Sequence, residues 1–226
     1  MIEAYDQPDL AAARRQLEAA FAAYPARHPV PGCPCCVTAE DQRALAAGQI
    51  GRFAFKALTT WGEVEDFKHF LPRLFDHDAE QALDKLGYAE WRAWPQPEQR
   101  AVEEYLAALW AGRLAAGEEY ILAVDLLQAI GELGIDLRPF LECWRLRAEA
   151  DIGQLAALIN DYAGSIYRLA EPPRSAAGQA LLDWLLEPAT ARLLESAFFA
   201  AGGPAAAEIS RAVEGLALLR DVVSRQ

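Results

Sequence analysis

Three thiols crowd the segment "PVPGCPCCVTAEDQRAL", residues 30–46. Cys33, Cys35 and Cys36 stand within four positions of one another, braced by Pro31, Gly32 and Pro34, and only Cys143 lies elsewhere in the chain. Thiolates ligate soft metals, exchange with disulfides and attack carbon. Cys33 and Cys36 have the C-x2-C spacing that closes two sulfurs on one zinc ion. His28 lies five residues upstream of Cys33, and the rest of a four-ligand zinc site has to come from Cys35, His69, His77 or Cys143, brought in by the fold. As a redox pair, Cys33 with Cys35 closes a small strained ring. Cys33 with Cys36 is a C-x-x-C pair lacking the βαβ sheet on which thiol oxidoreductases mount that motif. Cys36 stands just before an expected helix start, where the backbone dipole favours a thiolate. A cysteine nucleophile needs a base in reach, and the chain has three histidines, His28, His69 and His77. Against all of these stands simple packing, with the cysteines as small apolar side chains under a Pro-Gly-Pro loop.

A second segment, "FAFKALTTWGEVEDFKHFLPRLFDHD" (53–78), places Phe67, Phe70, Leu71 and Leu74 on one helical face. Asp66, His69 and Arg73 fall on the neighbouring face, at i, i+3 and i+7. Pro72 removes a helical hydrogen bond and predicts a bend. A bent helix carrying a carboxylate, an imidazole and a guanidinium on one side can line a pocket in which Asp66 orients His69. The plainer alternative is an amphipathic helix with an ordinary ion pair. Asp76-His77-Asp78 reads as a helix end and the cap of the next helix. The six tryptophans recur in helical contexts; Trp91 and Trp94 share a face and read as helix packing. The chain has no phosphate-binding loop, no dinucleotide-binding glycine pattern, no H-E-x-x-H and no G-x-S-x-G.

The elements that must position these groups read as helices throughout. Ala, Leu, Glu and Arg dominate, Thr, Val and Ile are scarce, and period-2 alternation is hard to find. The stripes predict about ten to twelve helices, at 8–23, 39–47, 50–60, 63–76, 78–94 (with Gly87 offering a break), 98–116, 118–133, 137–148, 150–169, 176–186, 188–200 and 205–224. Thr38 with Asp41 forms a short capping box, Pro97 suits a first turn, and Gly134 suits a left-handed stop. Residues 24–37 form a Pro-rich loop, and 170–177, "AEPPRSAA", a linker. Short connections imply antiparallel neighbours, so the expectation is all-α: an antiparallel multi-helix bundle or short helical stack. It is read as one domain over 1–226, with a possible C-terminal subdomain from about 175. No fixed-period repeat emerges.

Net charge is −12, divided as −5 over residues 1–113 (12 basic against 17 acidic) and −7 over 114–226 (9 against 16). This even acidity repels phosphate backbones and anionic lipid, so neither nucleic acid nor membrane is expected as a partner. The start, "MIEAYDQPDL", has no basic residue and no apolar core, and is not read as a secretory signal. The longest stretches without Asp, Glu, Lys or Arg are 12 residues, 28–39 and 196–207, short of a membrane span. The expected compartment is a bacterial cytoplasm; Arg outnumbers Lys by 18 to 3, which suits a GC-rich coding sequence. Two functions follow as expectations. One is a non-enzymatic helical interaction or scaffold protein with a protein partner and structural cysteines. The other is a zinc-binding or thiol-redox protein using Cys33, Cys35 and Cys36 with His28 or His69.

Four blocks, "GCPCCV" (32–37), "FKALTTWGEVEDFKHFLPRLF" (55–75), "LGYAEWRAWPQPEQRAVEEYLAALW" (86–110) and "ALLDWLLEPATARLLESAFFAA" (180–201), resemble a group of uncharacterised bacterial proteins found largely in GC-rich genomes. The resemblance covers most of the chain and implies no activity, ligand or catalytic residue. It does imply that the thiol loop and the 55–75 segment belong to one design.

Overall fold

The computed structural model describes residues 9–116, 120–150, 152–161 and 175–225. Among them the chain is all-α, with twelve α-helices, one 3-10 turn and no strand. The contacts divide the chain into two compact units, residues 1–109 and 110–226.

The first unit holds α1 (Leu10–Phe21), α2 (Ala39–Ala46), α3 (Gly51–Lys56), α4 (Val64–His77), α5 (Ala79–Tyr88) and a 3-10 turn at Trp91–Ala93. The division falls inside α6 (Gln96–Ala116). Local chemistry sets most of these boundaries. Asp9 caps α1 by accepting from the Ala11 amide at 2.9 Å. Thr38 Oγ1 accepts from the Asp41 amide at 3.1 Å, while Asp41 accepts from the Thr38 amide at 3.0 Å, closing the capping box on α2. Pro97 stands in the first turn of α6, as its sequence position predicts.

Two elements differ from the expected ranges. The helix expected over 50–60 stops at Lys56, and Leu58 takes a left-handed φ of 63°. The stop frees Trp61 and Gly62 to pair with the thiol loop, a long-range contact that outweighs local helix propensity. The helix expected over 78–94 ends at Tyr88, where Glu90 takes φ 49° and the chain tightens into the 3-10 turn. Meanwhile α4 runs through Pro72 without interruption. The core of this unit is aromatic: Phe21, Phe53, Trp61, Phe67, Phe70, Trp91 and Trp94 are all buried. Phe53 meets Trp61 edge-on at 5.4 Å, and Phe21 meets Trp94 the same way at 5.7 Å.

The second unit holds α7 (Tyr120–Glu132), α8 (Arg138–Ala150), α9 (Gly153–Asp161), α10 (Ala176–Leu186), α11 (Pro188–Ala200) and α12 (Gly203–Ser224). Gly134 has φ 70° and donates to the Gly131 carbonyl, ending α7 in the left-handed turn its position predicts. Trp110, Trp144 and Trp184 form a buried ladder, with ring centroids 5.6 Å and then 5.8 Å apart. Of the helix expected over 150–169, Gly153–Asp161 is α9 and Ala150 belongs to α8, while 162–169 and most of the expected linker at 170–177 lie outside the described residues.

Candidate functional site

The thiol loop is built by a short antiparallel track of backbone and one side-chain clasp. Gln42 of α2 turns its amide onto Val30: its Oε1 accepts from the Val30 amide at 3.0 Å and its Nε2 donates to the Val30 carbonyl at 2.6 Å. Pro31 and Cys33 then bond to the segment after α3. The Gly62 amide donates to the Pro31 carbonyl at 2.7 Å, and the Cys33 amide donates to the Thr60 carbonyl at 2.8 Å, with Gly32 facing Trp61. Gly32 is required by close approach. A Cβ there would lie 2.9 Å from Val37 Cγ2, 3.1 Å from Trp61 Cδ1 and 3.2 Å from the Thr60 carbonyl oxygen.

From Cys33 the chain reverses. Its carbonyl accepts from the amides of Cys36 and Val37, each at 2.9 Å. Pro34 occupies the second position of this turn, where its fixed φ suits the bend and its missing N–H is not needed. The turn gathers the three sulfurs on one side. Cys33 Sγ is 2.8 Å from Cys35 Sγ, Cys35 Sγ is 3.6 Å from Cys36 Sγ, and all three lie within 4.8 Å of one another. Cys35 is exposed; Cys33 and Cys36 are half-buried.

Their proton affinities separate. The Cys35 thiol donates to the Cys33 sulfur, the Cys35 and Cys36 amides and the Cys36 thiol add to it, and the Cys33 thiol falls from 9.0 to about 7. Cys35, which keeps the shared proton and faces its neighbours' charge, is pushed up to about 11. Below the turn, Lys56 donates its ammonium to the Cys36 carbonyl and lies 3.2 Å from Asp41. Arg52 approaches the same carboxylate at 2.7 Å. Asp41 is held below its ordinary value, first by the Thr38 amide and then, against its burial, by Lys56 and Arg52.

The histidines expected as ligands stand apart. Among the described residues, Cys33, Cys35 and Cys36 form the one group of three or more His, Cys, Asp or Glu whose ligand atoms converge, and neither His28 nor His69 is in it. His28 is exposed, and His69 Nδ1 lies 2.8 Å from the Tyr24 carbonyl. His77 is exposed at the end of α4. Cys143 sits half-buried on α8, in the second unit, and burial raises its thiol.

Nor do Asp66, His69 and Arg73 converge on one another. Each binds a different stretch of chain. Asp66 is 1% exposed and takes the Arg27 guanidinium with both oxygens, while also accepting from the Glu63 amide at 2.8 Å. His69 meets Tyr24, and Arg73 donates to the Gly48 carbonyl at 2.8 Å. The polar face of α4 is thus a row of brackets that fixes the segment from Tyr24 to Gly48, which carries the thiol loop. One more bracket has no forerunner in the sequence reading. Lys68 is 6% exposed, reaches Glu98 at 2.7 Å and the Tyr24 hydroxyl at 2.9 Å, and lies over the Tyr24 and Trp94 rings. The Tyr24 hydroxyl donates to Glu98 at 2.5 Å. Burial alone would lower the Lys68 ammonium, but Glu98 and Tyr24 outweigh it and raise it.

Lys56 was likewise unsignalled by spacing, because its partners lie 15 and 20 residues away. No family model, curated protein or solved structure matches the chain.

Proposed function

We propose that the protein binds a thiophilic d10 metal ion, of which zinc is the commonest, through Cys33, Cys35 and Cys36. The observation that carries this reading is the convergence of three sulfurs within 4.8 Å on one turn. It is favoured over packing because none of the three thiols is fully buried, whereas a cysteine that packs as a small hydrophobe is enclosed. A metal–sulfur bond of about 2.3 Å sets a sulfur–sulfur edge of about 3.8 Å for tetrahedral geometry. The 3.6 Å between Cys35 and Cys36 is already close to that edge, and the 2.8 Å between Cys33 and Cys35 opens by about 1 Å as an ion enters. Metal ligation needs thiolates, and Cys33, at about 7, supplies the first of them near neutral pH. The helices are then the holder of the loop.

Metal content and accessible thiols, measured on one freshly reduced sample, test this. The protein should retain about one ion per chain through dialysis. In that state Cys143 alone should titrate, and slowly because burial raises its thiol, and all four thiols should titrate once a strong chelator strips the ion. A metal-free protein whose four thiols titrate from the outset, even after incubation with zinc or cuprous salts, would sink the proposal.

A further inference from the structure

We infer that the ion this loop selects is cuprous copper, held three-coordinate by the sulfurs of Cys33, Cys35 and Cys36. This rests on the metal-site reading above and names its ligand. Three converging donors fall one short of a closed zinc site. A structural zinc site closes with four protein ligands, and here three sulfurs converge with no fourth His, Cys, Asp or Glu atom among the described residues. His69, the nearest sequence candidate on α4, is engaged with the Tyr24 carbonyl, and Asp66 with Arg27. Cuprous copper is a soft d10 ion that thiolates select and that needs no fourth ligand to be stable.

Three donors drawn from four consecutive residues span a ring, whose trigonal edge for a bond of about 2.3 Å is about 4.0 Å. The observed separations all fall at or below 4.8 Å, so small rotations of the three side chains form the ring. A tetrahedral ion in the same turn would leave its fourth corner toward solvent at exposed Cys35.

Three thiolates on a monovalent ion sum to two excess negative charges. Lys56 donates to the Cys36 carbonyl, and Lys56 and Arg52 share the single carboxylate of Asp41, leaving one net positive charge beneath the turn, which offsets one of the two. Copper remains in its +1 state throughout, and each thiol that becomes a ligand releases its proton to solvent.

The test uses the full reduced chain under anaerobic conditions. Cuprous ion is delivered from a bathocuproine complex, zinc is added separately as its chloride, and X-ray absorption is read at both metal edges. The expected result is about one cuprous ion per chain with three sulfurs and no nitrogen in its shell, retained against excess zinc. Cys35→Ser, at an exposed position, should keep the helical spectrum and weaken cuprous binding beyond the roughly 10–100-fold that losing a mere supporting partner costs. His28→Ala should leave binding unchanged. A four-ligand zinc site that resists cuprous ion, a two-sulfur cuprous site, or a cuprous shell containing nitrogen each overturns the inference while the metal-site reading stands. Binding of neither ion, or equal binding by the Cys33→Ser/Cys35→Ser/Cys36→Ser variant, overturns both.

Discussion

Cys33 and Cys35 share one proton, and the sharing pushes their affinities in opposite directions, to about 7 and about 11 from a common 9.0. The reactive sulfur of the loop is therefore the half-buried one, and the exposed Cys35 is the poorer nucleophile at neutral pH. In metal-free protein, alkylation of Cys33 by iodoacetamide should rise with a midpoint near pH 7. Cys143, whose burial raises its thiol, should lag throughout. Peptide mapping across a pH series checks this, and Cys35→Ala should move the Cys33 midpoint upward, because the largest contribution to its depression is the Cys35 thiol. A Cys33 midpoint that stays near 9.0 would remove the sulfur–sulfur hydrogen bond from the account.

The elements hold the loop by meeting it at fixed points: Gln42 on Val30, Thr60 on Cys33, Gly62 on Pro31, and the α4 brackets on Arg27 and Tyr24. Gly32 is where this track has no slack. Gly32→Ala puts a methyl 2.9 Å from Val37 Cγ2 and close to the Thr60 carbonyl, an overpacking that should cost about 1–3 kcal/mol in urea unfolding. It should also weaken metal retention, since Cys33 follows directly. Unchanged stability would mean that the track moves freely. Local signals of this kind were legible in the sequence. Thr38 with Asp41, Pro97 and Gly134 each act on residues two to four positions away, and all three take the roles their positions predict. The long-range part was not legible. Asp66, His69 and Arg73 read as one polar face, open either to a pocket or to ordinary ion pairing, and spacing could not name their partners, which lie 39, 45 and 25 residues off. The early stop of α3 has the same origin, because only the returning thiol loop gives Trp61 a reason to leave the helix. For the thiols, sequence gave the clustering of the three cysteines, and their turn then followed from Pro34; the histidines offered to them were a guess about tertiary placement.

At the scale of the molecule, two helical units each close on aromatic cores, and no helix among the described residues is long and apolar enough to cross a membrane. The first unit is tied through its interior by charge as well as by apolar contact. Lys68 on α4 meets Glu98 on α6 and Tyr24 beyond α1, so three separated stretches of chain share one buried network. Lys68→Ala leaves Glu98 buried without its cation and should cost about 3–5 kcal/mol. The pH dependence has a definite sign. The Lys68 ammonium is raised above 10.5 in the folded chain, so its contribution is complete below 10.5 and fades as pH climbs through the higher folded value. The difference between wild type and Lys68→Ala in urea unfolding should hold level from neutral pH to about 10.5 and shrink above it. A difference that grows with alkalinity would contradict the network.

The Gln42 clasp on Val30 has one further consequence. It is made wholly of protein atoms, as are the bonds from Thr60 and Gly62, so these bonds to the turn need no ion to form. On the proposed metal site, occupancy and folding should therefore be decoupled. Small domains that fold around their ion lose structure when it leaves, whereas stripping an ion from this loop with a chelator should leave the helical circular dichroism unchanged.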